Sequence, residues 1–444
     1  MTTLLTLDRW RGLLETPQTI FFRKLTLQGR DHDPPLVEGS GEVRLPTLGR
    51  IEFTLRGQPA DIGAFLRAIK DHEDHPFDGL TRMRLTGTDA DGVEWSLGWT
   101  WPKYDMGDTD WTFVGDLEAL HPHDPAAPRS EIDGTELMFV IPDGSPMDHY
   151  LRRFVRTPQA EGRPLASHSF IALGSDIGFA YDVAHRVLTV TATQSPALPP
   201  TYMENWLGQP LRILFGELVG ARLIARNFHR GQGFAYARTV STRPSRAGWA
   251  ALWNEEAGGA EEFWALYRGL LILIAQARSQ DGQPQFEANK VTRLYEEVIQ
   301  AAAGSRWVWA LTFASGIEGL VNLLEPRGPR SATEVAAAET LADQIEGLEG
   351  DGRLKQVAVN AVRRAATMTS VDSLRRLRDA DVVTKEQTAA WDALRNRVAH
   401  GSLVSPYNNE KEDGQLLALS NMFHALTREL IRREVAAPAR ERRD

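Results

Sequence analysis

The 444-residue sequence has no cysteine. That excludes disulfides, thiolate metal sites and cysteine nucleophiles, and it leaves the redox compartment open. No Walker loop, nucleophile elbow or dinucleotide fingerprint occurs, so P-loop nucleotide hydrolysis and α/β-hydrolase chemistry have no residues to rest on. No uninterrupted apolar run approaches membrane-spanning length. The opening stretch meets Asp8, Arg9 and Arg11 too soon for a signal-peptide core, so the expectation is a cytoplasmic protein. No internal repeat is evident. What is there is an ordinary globular composition, 42% hydrophobic and 25% charged. The length exceeds what one core usually serves, and two or three domains are expected.

The net charge of −9 is unevenly placed. Residues 1–144 carry 25 acidic and 14 basic side chains, whereas the remaining 300 carry 34 and 36. Within Gly352–Arg378, seven basic residues (Arg353, Lys355, Arg363, Arg364, Arg375, Arg376 and Arg378) stand against Asp372 alone. Such a run suits a phosphate backbone, and it equally suits a solvated helical face.

Residues from about 18 to 230 read as β-rich. Short candidate strands are Ile20–Leu27, Arg50–Arg56, Leu80–Leu85, Val93–Trp101, Glu136–Ile141, His168–Leu173 and Val187–Thr193. Turn chemistry such as Asp91-Gly92, Asp133-Gly134 and Asp143-Gly144 separates them, which suggests a mostly antiparallel sandwich or barrel-like domain. Ala60–Asp71 reads as an inserted helix, and Leu211–Phe228 is ambiguous. Val93, Trp95, Leu97, Trp99 and Trp101 alternate onto one strand face, which reads as core before it reads as an aromatic platform. Trp101 and Trp111, nearer loops, are the candidates for exposed rings. Asp71-His72-Glu73-Asp74-His75 and His121-Pro122-His123-Asp124 have metal-binding residue types, but both adjoin turn residues and neither is placed on a helix that would fix ligand spacing. No metal or other cofactor is expected.

Arg238–Gly259 collects linker residues, and beyond it the periodicity turns helical. Expected helices are Glu261–Arg278, Gln285–Ala302, Arg306–Leu324, Ala332–Glu346, Leu354–Thr367, Val371–Arg378, Thr384–His400 and Asp413–Glu434. The fold class is therefore α+β multidomain. A β-rich domain (1–240), a linker (241–259), an all-α bundle (260–437) and a short tail (438–444) follow in order.

The chemistry concentrates near the end of one helix. Thr384 and Gln387 form a capping-box pattern, and Gly401 sits where a left-handed cap would close the helix. His400 falls at that C-terminal end, where the backbone carbonyls favour an imidazolium. Asn396, four residues earlier, shares its face, while Arg395 must reach round. A guanidinium, a carboxamide and a titratable imidazole suit a phosphodiester, with arginine on the non-bridging oxygens and histidine moving a proton. Arg397 is a second basic residue in the same turn. In Arg306–Leu324, Glu318 lies beside the apolar stripe between Gly316 and Gly319, which would let neighbouring helices come close.

Arg395-Asn396-Arg397-Val398-Ala399-His400-Gly401 resembles the R-N-x-x-x-H motif of the HEPN superfamily, helical domains that include many metal-independent ribonucleases. The surrounding sequence, with Phe313–Leu320 upstream, is similar to the ApeA-like branch of bacterial anti-phage and abortive-infection proteins. Phe22–Gly29, Leu48–Phe53 and Glu204–Gly208 resemble, diffusely, the β-rich sensing or docking domain that precedes HEPN in that branch. The resemblance implies an endoribonuclease in which Arg395, Asn396 and His400 are catalytic and Glu318 orients Arg395 or His400. Arg397, Arg363, Arg364, Arg375 and Arg376 are the expected RNA contacts. It also implies single-stranded or looped RNA as partner, a possible phage-derived trigger and a homodimer, or a higher even oligomer, through the helical half that pairs two motifs. The alternatives are a catalytically silent HEPN module and a ligand-binding β module whose helical half only dimerises. A HEPN class paired with nucleotidyltransferases commonly has tyrosine two residues after the motif histidine, where this chain has Ser402.

Overall fold

The computed structural model describes residues 10, 12–29, 33–107, 110–122, 132–155, 159–160, 163–164, 168–228, 233–240, 248–253, 258–279, 281–285, 289–302, 304–399, 404–405, 407 and 409–436. His123, Asp124, His400, Ser402, the 438–444 tail and most of the 241–259 stretch lie outside the described residues. The chain divides into two compact units, one of residues 1–211 and 218–244, the other of residues 212–217 and 245–444.

The first unit is built on a large antiparallel sheet. Its opening strands are β1 (Gln18–Gln28), β2 (Pro35–Leu45), β3 (Ile51–Pro59), β4 (Met83–Asp89) and β5 (Glu94–Thr100). Next come β6 (Lys103–Met106), β7 (Trp111–Leu117), β8 (Ala119–Pro122) and β9 (Ile132–Val140), then the two-residue pair β10 (Gln159–Ala160) and β11 (Arg163–Pro164). The last are β12 (His168–Ala172), β13 (Ser175–Asp182), β14 (Val187–Thr193), β15 (Leu223–Phe228) and β16 (Gly233–Arg238). Fourteen of these form one sheet, in the order β12-β13-β14-β9-β15-β16-β8-β5-β4-β1-β2-β3-β7-β6. β2 has no strand signal in its sequence, because Gly39 and Gly41 interrupt it. Those glycines are where β3 comes closest: a Cβ on either would lie 1.9 Å from a β3 carbonyl oxygen.

β5 departs from the expected alternation. Trp95 and Leu97 are buried, but Trp99 is 40% exposed and Thr100 is buried. The pairing with β4 shifts between Arg84↔Trp99 and Thr86↔Ser96, so Leu85 opposes two residues. Gly98, at φ +78°, is the extra one. A bulge of this kind flips every later side chain to the other face. Trp101 and Trp111 are partly buried. Trp101 lies 3.6 Å from the His72 ring, and Trp111 stacks on Tyr104.

The inserted helix is α1 (Ile62–Asp74), three residues longer at its end than the pattern suggests. Asp71–Asp74 therefore sit on a helix and not in a loop. His72 is tied to Thr81 through Nδ1 at 2.8 Å. Among the described residues no group of three potential metal ligands converges. Three short helices follow α1: α2 (Pro146–Phe154), α3 (Pro200–Trp206) and α4 (Gln209–Phe215). The ambiguous 211–228 stretch resolves into the end of α4, a turn and β15.

The second unit is helical: α5 (Ala260–Gln276), α6 (Lys290–Ala302), α7 (Arg306–Leu324), α8 (Ala332–Gly347), α9 (Gly352–Ala365), α10 (Ser370–Asp379), α11 (Lys385–Ala399) and α12 (Glu410–Ala436). Ala250, Leu252 and Trp253, from the linker-like stretch, are buried in this unit. Trp253 meets Phe263 edge-on. By length and composition α7 is apolar enough to cross a membrane, and half of it is buried. Its neighbours explain the composition: α6, α10, α11 and α12 all pack on it, as a helix apolar on most sides requires.

A buried guanidinium holds one end of the sheet. Arg222, fully buried, donates to the carbonyls of Pro46, Gly49 and Arg238 and pairs with no carboxylate among the described residues. Each buried carbonyl left without a donor costs about 1–3 kcal/mol. Arg222→Met should therefore lower the stability of the β unit by at least about 3 kcal/mol in urea melts. A loss under about 1 kcal/mol would show that water replaces the side chain.

Candidate active site

α11 begins as its sequence implies. The Thr384 backbone N–H donates to Gln387 Oε1 at 2.9 Å, and the Gln387 N–H donates to Thr384 Oγ1 at 3.2 Å. Trp391 then anchors it: the ring is buried and its Nε1–H donates to the Ala314 carbonyl of α7 at 3.1 Å. One turn further along both helices, Arg395 stands beside Glu318, with Nε 3.6 Å from Oε2. The guanidinium also lies over the Trp391 ring, 5.2 Å from its centre, as an i,i+4 cation–π contact.

Two glycines fix where Glu318 points. A Cβ at Gly316 would meet Phe423 of α12 at 3.0 Å, and one at Gly319 would meet Leu294 of α6 at 3.0 Å. With α12 and α6 drawn in against these glycines, Glu318 is left facing α11 and the start of α10. There Ser370 donates to its Oε1 at 3.0 Å, and Arg327 pairs with the same oxygen. Arg327 also donates to Ser370 Oγ at 3.1 Å. The carboxylate thus carries Ser370 on one side and a guanidinium on each oxygen. Arg395 keeps 43% of its side chain exposed and Arg327 keeps 52%. The arrangement holds two arginine forks near solvent, where an anion can reach them.

Arg397 is engaged elsewhere. It donates to Glu412 Oε1 at 2.9 Å, while Glu412 Oε2 accepts the Ser405 backbone N–H at 2.9 Å. This pair ties the end of α11 to α12 across the 400–409 segment. Asn396 is exposed. His400 lies just past Ala399, outside the described residues. Arg363 is ion-paired with Glu339 and Glu346 of α8, Arg375 lies 3.7 Å from Asp372, and Arg364 and Arg376 are exposed.

His424, in α12, is held at both nitrogens: Tyr295 Oη lies 3.0 Å from Nδ1, and Nε2 donates to the Trp249 carbonyl at 2.8 Å. Burial pushes its pKa down to about 4, so the ring is neutral and structural. Arg327, Ser370 and Trp391 are the partners that sequence reasoning does not find. Trp391 has a signal, its i,i+4 spacing to Arg395. Arg327 lies past the end of α7 and Ser370 opens α10, a different helix, so no helical spacing relates them to Glu318.

Comparison with known protein families, with curated proteins and with solved structures finds no match to the chain.

The Glu412 clasp has a pH signature. The hydrogen bond from Arg397 holds its carboxyl below the ordinary 4.5, against burial, which acts the other way. A depressed folded-state pKa contributes stability above the unfolded value, and that contribution is lost as the pH falls through the folded one. Glu412→Gln should thus melt below wild type at pH 7, with the gap closing as the pH drops below 4.5. A gap independent of pH would mean that the carboxylate charge is not what matters.

Proposed function

We propose that the chain is a metal-independent endoribonuclease of the HEPN type, working in the cytoplasm in anti-phage defence. What supports the reading is the placement of Arg395. The arginine of the R-N-x-x-x-H motif is pre-oriented by Glu318 and Trp391, yet half exposed, on the helix that leads directly to His400. A guanidinium already fixed in direction loses little freedom on gripping phosphate oxygens.

In the proposed reaction the RNA's own 2′-hydroxyl attacks the adjacent phosphorus. The 2′-oxygen–phosphorus bond forms as the bond from phosphorus to the 5′-oxygen breaks. The 2′-hydroxyl proton passes to a base and the departing 5′-oxygen receives one from an acid, so no water is consumed. The products are a 2′,3′-cyclic phosphate and a 5′-hydroxyl end. His400 moves a proton, Arg395 takes the charge on the non-bridging oxygens, and Asn396 orients the substrate from the exposed face. One imidazole cannot serve both sides of the phosphorus at once, so the site takes its second histidine from a second chain, in a homodimer or higher even oligomer. Flexible single-stranded or looped RNA permits the in-line geometry.

A second reading has its own observation. Arg395 and Arg397 both face carboxylates of the same chain, Glu318 and Glu412. A module used only for assembly would keep its cations neutralised in this way.

The two readings separate by experiment. His400→Ala should abolish cyclic-phosphate ends, both in cells and in purified protein with EDTA present, while the melting temperature stays unchanged. Arg395→Lys keeps the charge and loses the fork, and a charge-assisted contact is worth about 1.5–3 kcal/mol, so cleavage should fall at least about tenfold. Arg397→Lys should cost less. Wild-type cleavage by His400→Ala would remove the site, and no cleavage of any RNA by the wild-type oligomer would leave the assembly module.

A further inference from the structure

The two guanidiniums on Glu318 are only partly used. Arg327 donates its Nε–H to Asn322 Oδ1 at 3.2 Å and reaches Glu318 Oε1 and Ser370 Oγ through Nη2. That engages one edge of its fork, and Nη1 has no protein acceptor among the described residues. Arg395 approaches Glu318 Oε2 with Nε at 3.6 Å, which is an ion pair and not a hydrogen bond. Both of its Nη groups are without a protein acceptor among the described residues. Five donors in a planar fork allow one edge to be anchored while another stays available.

Glu318 brings one negative charge and receives two positive ones. The adjoining cluster does not cancel the surplus, because Arg330 and Arg375 stand there against Asp372 and Glu334. The backbone beside Arg327 is also fixed. Just beyond it the Arg330 N–H donates to the Ala366 carbonyl at 2.8 Å, and the Met368 N–H donates to the Gly328 carbonyl at 2.9 Å. These bonds tie the segment leaving α7 to the one entering α10, where Ser370 is the first helical residue. Arg327 is thus held by its backbone and by three side chains, half exposed, with donors to spare.

We propose that Arg327 is a second phosphate ligand of the site, closing with Arg395 on the non-bridging oxygens of one RNA phosphodiester. Two forks anchored on the two oxygens of one carboxylate suit a tetrahedral anion that offers two oxygens of its own. That this phosphate is the one cut rests on the nuclease reading; the clamp itself does not. The clamp also changes the division of labour between chains. One chain supplies both arginines, and a partner is needed only for the second histidine.

The test uses the full chain and a single-stranded RNA that is 2′-O-methylated throughout, which lacks the attacking hydroxyl and is bound without being cut. Arg327→Gln should weaken its binding about tenfold. The slope of log affinity against log salt should fall by about 0.7, the value of one lost phosphate contact on a single strand. Glu318→Gln keeps an acceptor oxygen for Ser370 and Arg327 but removes the charge that opposes the phosphate. It should bind the methylated RNA more tightly and cut ordinary RNA more slowly. The double variant decides between a ligand and a mere counter-charge. If Arg327 only neutralised Glu318, Arg327→Gln would change nothing once the carboxylate is gone; as a phosphate ligand it should again cost about tenfold. Arg327→Lys keeps the ion pair, and with it the fold, but one nitrogen cannot serve carboxylate and phosphate together. It should bind at least about threefold more weakly than wild type. Equal binding by Glu318→Gln with and without Arg327→Gln would overturn the clamp, as would inorganic phosphate bound in place of RNA. A wild type that binds the methylated RNA and cuts none would remove the nuclease and leave the clamp, whereas cleavage and binding indifferent to Arg327 would do the reverse.

Discussion

The second unit depends on one constraint, the burial of α7. Its 19 residues contain only two charged side chains, Arg306 at its first position and Glu318. Most of the apolar residues between must be covered, and α6, α10, α11 and α12 cover them, with Val308 and Leu311 left at the surface. Aromatic packing supplies much of the cover, since Phe313 meets Phe423 edge-on and Trp309 stacks on Trp249. A lone carboxylate on such a helix cannot be left in an apolar contact, because an unpaired buried charge costs more than the packing returns. It has to emerge where the covering helices part. Gly316 and Gly319 set that place by admitting Phe423 and Leu294, so the same glycines that tighten the core direct Glu318 toward Arg395.

Two guanidiniums on one carboxylate leave a net positive centre, and Ser370 occupies part of the remaining acceptor capacity. Such a triad has consequences for anion binding that a free arginine lacks. An arriving phosphate does not have to gather two flexible side chains, because Glu318 already holds them about one carboxylate apart. It must compete with that carboxylate for their N–H groups, which weakens ground-state affinity. A dianionic centre competes better than a monoanionic one, so in the proposed reaction the charge growing as the phosphorus is attacked would be favoured over the resting diester. In the proposed reaction Glu318 would be a positioning residue, acting through Arg395.

Much of the helical half is legible in sequence, and the reason is physical. α7 begins at Arg306 and ends at Leu324 in both pattern and structure, with Ser305 as its cap, because a helix that buries most of its surface cannot hide its ends. The α11 cap is equally visible, since Thr384 and Gln387 act through neighbouring atoms. The β half is harder. β14 and β15 both pair with β9, far away in sequence, and nothing local fixes those choices. The Trp99 flip turns on a single φ at Gly98, which period-2 alternation cannot foresee. The Glu318–Arg395 pair sits between these cases. Each partner is visible on its own helix, and the 3.6 Å contact depends on Trp391 reaching Ala314 one turn away.

Arg327 shows why the remainder of the site escapes local reading. It lies three residues past the end of α7, where the chain leaves the bundle for the α8–α9 hairpin. Ser370 lies where the chain returns. Both reach Glu318 because the root of the hairpin is closed by backbone hydrogen bonds between 328–330 and 366–368. The excursion from Arg327 to Ser370, 43 residues on, thus begins and ends on the same carboxylate. The hairpin and the candidate site share one mechanical joint. Arg330, at that joint, is bound to Asp372 at 2.6 Å, and Asp372 in turn caps α10 with Thr369. The capping hydrogen bonds from Thr369 hold the Asp372 carboxyl below its ordinary range, so it stays charged and the joint stays locked across neutral pH. The site therefore inherits its rigidity from α10's first turn as much as from the helix that carries the motif.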